Sequence, residues 1–232
     1  MGTFKLIILS TLGIIALSSC STRVKDTTSA AGVADNQYLF QGWGENSRLA
    51  AQSILEKYGQ PNEKTESHLI WRSAKAFKRI TVYREEAPHE FPLPHYDVVE
   101  HVVNYPVPPY MADDLSRFDG SVSFNRTVGE LSVRSNSERM NVLALNLATD
   151  VIDGKRTWSD ARLEHEKQSI EILNGQTTAL SEKLHFISQN NTADVDESTK
   201  SDWAQAQEAN PNSGYKSRDD TLRQAQEEEI AE

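Results

Sequence analysis

Between residues 89 and 101 the chain gathers side chains that bind metals: His89, Glu90, His95, Asp97, Glu100 and His101. Neutral imidazoles and carboxylates suit zinc and other divalent metals, and a proline-rich loop is able to fold them together. His89, His95, Asp97 and His101 form the candidate ligand set. The spacing rules out one well-defined alternative. A His-Glu pair opens a zincin helix when a second histidine stands three residues after the glutamate, but Leu93 occupies that position and Pro92 breaks the helix. On a strand, Asp97 and His101 share a face while Glu100 points the other way. The same residues also fit a polar loop entering an edge strand with no metal, because histidines beside carboxylates are common without one. Both readings stay open.

Other chemistry has less to stand on. A serine nucleophile on a Gly-x-Ser-x-Gly turn is missing, and Asp119-Gly120-Ser121 reads as a turn entering a strand. No glycine-rich phosphate loop occurs. Glu164-His165-Glu166 falls on a helix, where adjacent side chains fan about 100° apart, so it reads as a solvated face. Carboxylate pairs such as Asp113-Asp114 are expected in a chain of net charge −10. These absences lead to the expectation that the chain is not an enzyme. The acidic balance gives no general attraction to phosphate backbones, so nucleic acid is not an expected partner.

The single cysteine, Cys20, excludes an internal disulfide and any paired-cysteine zinc site. It follows a positive residue, Lys5, and an apolar run from Leu6 to Leu17. That run matches the length of a signal-peptide core and falls short of the roughly 20 residues that span a bilayer. Leu17-Ser18-Ser19-Cys20 resembles the lipobox of bacterial lipoproteins. The resemblance implies cleavage between Ser19 and Cys20, a diacylglycerol on the Cys20 thiol, and a further acyl chain on the new N-terminus. Such multiple chains anchor a protein stably where one chain binds marginally. Ser21, in the position where that family's sorting rule reads an Asp as inner-membrane retention, implies the outer membrane, facing the periplasm.

The elements that must position the candidate ligands follow. Residues 1–19 read as the signal peptide and 20–45 as the lipidated cysteine with a flexible tether. An α+β domain is expected over 46–174. Ala51, Ile54, Leu55 and Tyr58 fall on one helical face, ended by Gly59 and Pro61. Residues 68–72, 79–84 and 97–105 read as strands, 88–94 as a proline loop, and 121–135 as a hairpin. Two apolar stripes predict a helix after Ser137 that is buried on two sides, and a second helix runs from Thr157 to Leu173 with Trp158, Ala161 and Ile172 facing inward. The expected fold is a twisted antiparallel sheet of about 4–5 strands with helices packed on one face. Residues 175–232, with 12 acidic and 5 basic side chains, read as a mostly disordered acidic tail in which Trp203 and Tyr215 are candidate partner anchors.

The helix ending Tyr58-Gly59-Gln60-Pro61, followed by a Trp-bearing strand, resembles the small lipoproteins of the outer-membrane barrel-assembly machinery over residues 45–85. The later hairpin and paired helices depart from that short fold. The leading expectation is a non-enzymatic accessory lipoprotein that binds an envelope protein. The other expectation is a metal- or small-ligand-binding lipoprotein built on His89, His95, Asp97 and His101.

Overall fold

The computed structural model of the protein describes residues 39–196 and 226–227. Ser19, Cys20, Trp203 and Tyr215 lie outside the described residues. Among the described residues no helix is long and apolar enough to cross a membrane.

Six strands form one sheet: β1 (Glu63–Lys64), β2 (His68–Ala74), β3 (Phe77–His89), β4 (His95–Asn104), β5 (Val122–Asn125) and β6 (Glu130–Ser135). Their order is β1-β2-β3-β4-β6-β5, and every neighbouring pair is antiparallel. Among the described residues the α-helices are α1 (Glu45–Tyr58), α2 (Ala112–Phe118), α3 (Glu138–Ile152), α4 (Trp158–Leu173) and the short α5 (Ala179–Glu182). The expected α+β fold with an antiparallel sheet is therefore present. The strand beyond the expected 4–5 is β1, two residues long and too short to carry a periodic signal.

Register explains the core. Leu69, Trp71, Ile80, Val82, Val99, His101, Leu131 and Val133 are linked by cross-strand pairing and by i, i+2 alternation, so they share one face. α1 and α3 cover that face. α1 buries Ala50, Ala51, Ile54 and Leu55. α3 buries every residue from Asn141 to Thr149, as its two apolar stripes require. The opposite face carries polar contacts: Tyr83 donates to Glu100 at 2.9 Å, and the Arg134 guanidinium lies 3.9 Å from the Tyr83 ring centre.

Helix starts follow local chemistry. Ser137 caps α3 by accepting from Met140 N, and Thr157 caps α4 by accepting from Asp160 N. α1 begins at Glu45 with Gly44 at its N-cap, where no side chain caps it. Its first-turn donors are met from β3 instead: Ser47 N donates to Glu86 Oε1 at 3.0 Å and Asn46 Nδ2 to Glu86 Oε2 at 2.9 Å. Trp43, buried and donating to Glu66 O at 3.1 Å, anchors this edge of the domain.

Two boundaries differ from expectation. The loop expected at 88–94 shortens to 90–94, because β3 continues through Pro88, which pairs with Tyr96. β2 stops at His68 opposite Tyr83, so the distal part of β3 has only β4 beside it, and Pro88 loses no donor that a second neighbour would need. The chain after 174 also returns to the domain. Asn146, on buried α3, donates to Leu180 O and Lys183 O at 2.8 Å each and accepts from His185 N at 2.8 Å. Thr192 donates to Gly129 O at 2.6 Å, and Arg126 Nη2 pairs with Asp194 at 2.6 Å. Gly129 has φ +69°, and a Cβ there would collide with the Thr192 backbone, so this crossing needs glycine. Hydropathy misses this return because polar side chains bonded to backbone make it.

Asn146→Ala removes three hydrogen bonds from a buried position and leaves the 180–185 backbone groups without partners. The expected loss of folding stability is about 2–4 kcal/mol, read by urea denaturation. A loss below about 0.5 kcal/mol, the scale of an inert surface change, would show that the segment is not held this way.

Candidate functional site

The β3–β4 hairpin assembles the cluster. Its register sets His89 opposite His95 and Ala87 opposite Asp97. Opposed residues share a face, as do residues two apart on a strand, so His89, His95 and Asp97 point to the same side. Their donor atoms all lie within 4.8 Å of one another. His95 Nε2 is 3.0 Å from Asp97 Oδ1, and His89 Nδ1 is 3.4 Å from Asp97 Oδ2. The two imidazole centres are 5.0 Å apart.

His95 Nδ1 lies 2.7 Å from Leu93 O and its Nε2 lies 3.0 Å from Asp97 Oδ1, so both ring nitrogens face oxygen acceptors. Ser135 Oγ is 3.2 Å from the same Nε2 and is able to donate to it. A backbone carbonyl that fixes the remote nitrogen of a histidine is the usual support for a metal ligand.

Two residues from outside the hairpin close the cluster. Asp119 follows α2, and His165 lies on α4. Asp119 Oδ1 is 3.7 Å from His89 Nε2, and Asp119 Oδ2 is 3.7 Å from His165 Nδ1. Asp119 Oδ1 also accepts from Ser121 N and Ser121 Oγ, both at 2.8 Å. His165 packs between Phe91 and Phe118, with ring centres 5.3 and 5.8 Å away. It is 2% exposed, and neither ring nitrogen has a hydrogen-bond partner. This overturns the reading of Glu164-His165-Glu166 as a solvated face. The buried side of α4 is Ala161, His165, Gln168 and Ser169, whereas Trp158 and Ile172 are only half-buried. The stripe has helical spacing but polar residues, so apolar periodicity does not mark it.

Arg162 pins these pieces together. Its Nη1 donates to Phe118 O at 2.8 Å, and its guanidinium lies 3.7 Å from the Phe91 ring centre. It thereby ties α4, the end of α2 and the 90–94 loop around the cluster. A cavity of about 420 Å³ beside it reaches His95 and is walled by Ile54, Pro92, Leu93, Met140 and Ile172.

The electrostatics favour mixed protonation. Hydrogen bonding to Asp97 raises the His89 pKa above its ordinary value. Burial alone would raise Asp97, but its contacts with His89 and His95 outweigh that and lower it. Burial pushes Asp119 above the usual carboxylate range despite the Ser121 bonds. Burial, helped by repulsion from His95, His89 and Arg162, brings His165 down to about 3 and keeps it neutral.

His101 does not join the others. It shares their face, as expected, but four residues beyond Asp97 place it ~13 Å further along the strand. There it is fully buried, 4.5 Å from the Phe77 ring centre. Asn141 Nδ2 donates to its Nδ1 at 2.8 Å, and its Nε2 faces Glu138 Oε2 at 3.6 Å. Glu138 Oε1 in turn accepts from Lys57 at 2.7 Å and Tyr58 at 3.0 Å. Glu90 is exposed, and Glu100 sits on the opposite face bonded to Tyr83. Comparison of the chain with protein-family models, with curated proteins and with solved structures returns no match.

The His101–Glu138 pair sets an acid limit on stability. Full burial lowers the pKa of His101 below 6.5. Burial would raise Glu138, but His101 and Lys57 bring it from 4.5 down to about 2. Both folded-state values are depressed, so both contributions are complete above the unfolded values and are lost as pH falls. The melting temperature should decline below pH 6.5 and again between 4.5 and about 2. Glu138→Gln should be less stable than the parent at neutral pH, with the gap narrowing through that lower window. Parallel melting-temperature curves would refute the role given to Glu138.

Proposed function

We propose that this chain is a lipid-anchored protein of the bacterial envelope whose folded domain binds a divalent transition metal through His89, His95 and Asp97, in a non-enzymatic role. The observation that carries the reading is the convergence of these three donors within 4.8 Å on the β3–β4 hairpin. Metal–nitrogen and metal–oxygen bonds of about 2.0–2.2 Å put ligand atoms roughly 3.3–3.6 Å apart around a tetrahedral ion. The 3.0 and 3.4 Å separations from Asp97 lie close to that spacing. Imidazole with carboxylate favours zinc among the common candidates. Three protein ligands leave one position for water or a small molecule, and the cavity at His95 supplies a route to it.

His101 drops out of the ligand set because Asn141 and Glu138 already engage it. Docking on another envelope protein, the leading expectation from the sequence, has no geometry of comparable definition, since Trp203 and Tyr215 lie outside the described residues. The address rests on the lipobox resemblance at Leu17-Ser18-Ser19-Cys20.

Zinc titrated into the full chain in detergent should bind stoichiometrically and raise the melting temperature. His95→Ala and Asp97→Asn should each weaken binding by at least about tenfold, the smaller effect known for supporting residues. Glu100→Gln, on the opposite face, should not. Substoichiometric zinc with no thermal shift would overturn the metal reading. For the anchor, Cys20→Ser should leave the membrane fraction or stay unprocessed. A mutant that remains membrane-bound at the mature size would sink the lipoprotein assignment.

A further inference from the structure

We infer that the cluster holds a second divalent cation between Asp119 and His165, sharing the His89 ring with the first; this rests on the metal reading proposed above. The His165 ring carries the inference furthest. A neutral imidazole has one N–H and one lone pair, and in a buried site both need partners. His165 is 2% exposed, and neither nitrogen has one. Its Nδ1 instead faces Asp119 Oδ2 across 3.7 Å, too far for a hydrogen bond.

Asp119 poses the complementary problem. It is 2% exposed, and its hydrogen-bond donors are the neutral Ser121 N–H and hydroxyl, both on Oδ1. A carboxylate in that setting is costly without a cation beside it. The Arg162 guanidinium donates to the carbonyl of the neighbouring Phe118 and lies over the Phe91 ring. One ion placed between Oδ2 and Nδ1 meets the Asp119 charge and gives the His165 lone pair a partner, leaving the Nε2 proton as the one unmet group. Ligand atoms at about 2.0–2.2 Å from an ion, with angles near 110–120°, stand roughly 3.3–3.7 Å apart. The observed gap is at the upper end of that range.

The His89 ring links the two positions. Its Nδ1 faces Asp97 Oδ2 at 3.4 Å and its Nε2 faces Asp119 Oδ1 at 3.7 Å. With both positions filled, each nitrogen donates a lone pair to one ion. The ring is then an imidazolate, and its remaining N–H proton leaves to solvent. The cluster thus divides into His95, Asp97 and His89 Nδ1 on one side, and Asp119, His165 and His89 Nε2 on the other. The ligand class is a borderline divalent cation that accepts imidazole and carboxylate together, with zinc first.

The test is zinc stoichiometry on the full chain in detergent, with cobalt(II) absorption as the spectroscopic readout. His165→Phe keeps the ring volume between Phe91 and Phe118 while removing both nitrogens. Asp119→Asn keeps the shape and the Ser121 contacts. The parent should bind two ions and release a proton as the second loads, seen as a buffer-dependent heat. Each variant should bind one ion and lose one of two cobalt environments, with the fold checked by circular dichroism. One ion in the parent and one in His165→Phe would overturn the second position while leaving the first intact. No ion in the parent would overturn both.

Discussion

The pairing of β3 with β4 is the constraint on which the rest of the structure depends. These are the two longest strands, and they occupy the centre of the sheet. Their inner face supplies Ile80, Val82 and Val99 to the core beneath α1 and α3. The register then shifts between Val82 and Ala87, and the shifted pairing sets Ala87 against Asp97 and His89 against His95. A slip of one residue in the inner half would turn the apolar set to the opposite face. The core therefore specifies the register of the inner half, and the irregularity re-aims β3 at the hairpin end that carries the histidines.

Much of the scaffold was legible in the sequence because its periodicities are apolar. The stripes on α1 and α3, the strand at 97–105 and the hairpin at 121–135 all announce themselves through spacing of Val, Leu, Ile and Phe. Half of the site was legible too: His89, His95 and Asp97 stand close in sequence, and strand alternation places the last two together. The rest was not. Asp119 lies beyond α2, and His165 is separated from it by α3. Their convergence depends on how α4 packs against α2, a tertiary fact with no local signature. The buried side of α4 is polar, so a search for apolar stripes reads it backwards. The 3.6-residue spacing of Ala161, His165, Gln168 and Ser169 was the available signal, and it marks burial only once a neighbour is known.

His101 illustrates the opposite error. Alternation correctly assigned it to the face of Asp97, but sharing a face is not the same as meeting. Rise per residue separates the two, and what lies above each position then decides its chemistry. Above Asp97 stands the end of α2 with a carboxylate. Above His101 stand Asn141 and Glu138 at the start of α3. Strand periodicity carries orientation without distance, so metal sets read along a single strand overreach by this margin.

The two histidine clusters on this face differ in their electrostatic balance more than in their composition. Around His101, the Asn141 amide supplies a donor to Nδ1, and Nε2 faces Glu138 Oε2 as donor to acceptor, so a few tenths of an ångström of closure completes the bond. The Glu138 charge is met by Lys57. His101 Nε2, Glu138 Oε2 and Asn141 Oδ1 remain without a hydrogen-bond partner at the observed distances. Around His89 two carboxylates, Asp97 and Asp119, face three imidazoles, and the Arg162 guanidinium is held by the Phe118 carbonyl. Protonating His89 offsets one of these charges. Neither ring nitrogen of His165 has a hydrogen-bond partner. A buried cluster of this kind lowers its energy by taking up a proton, which burial favours at Asp119 and opposes at His165, or a cation.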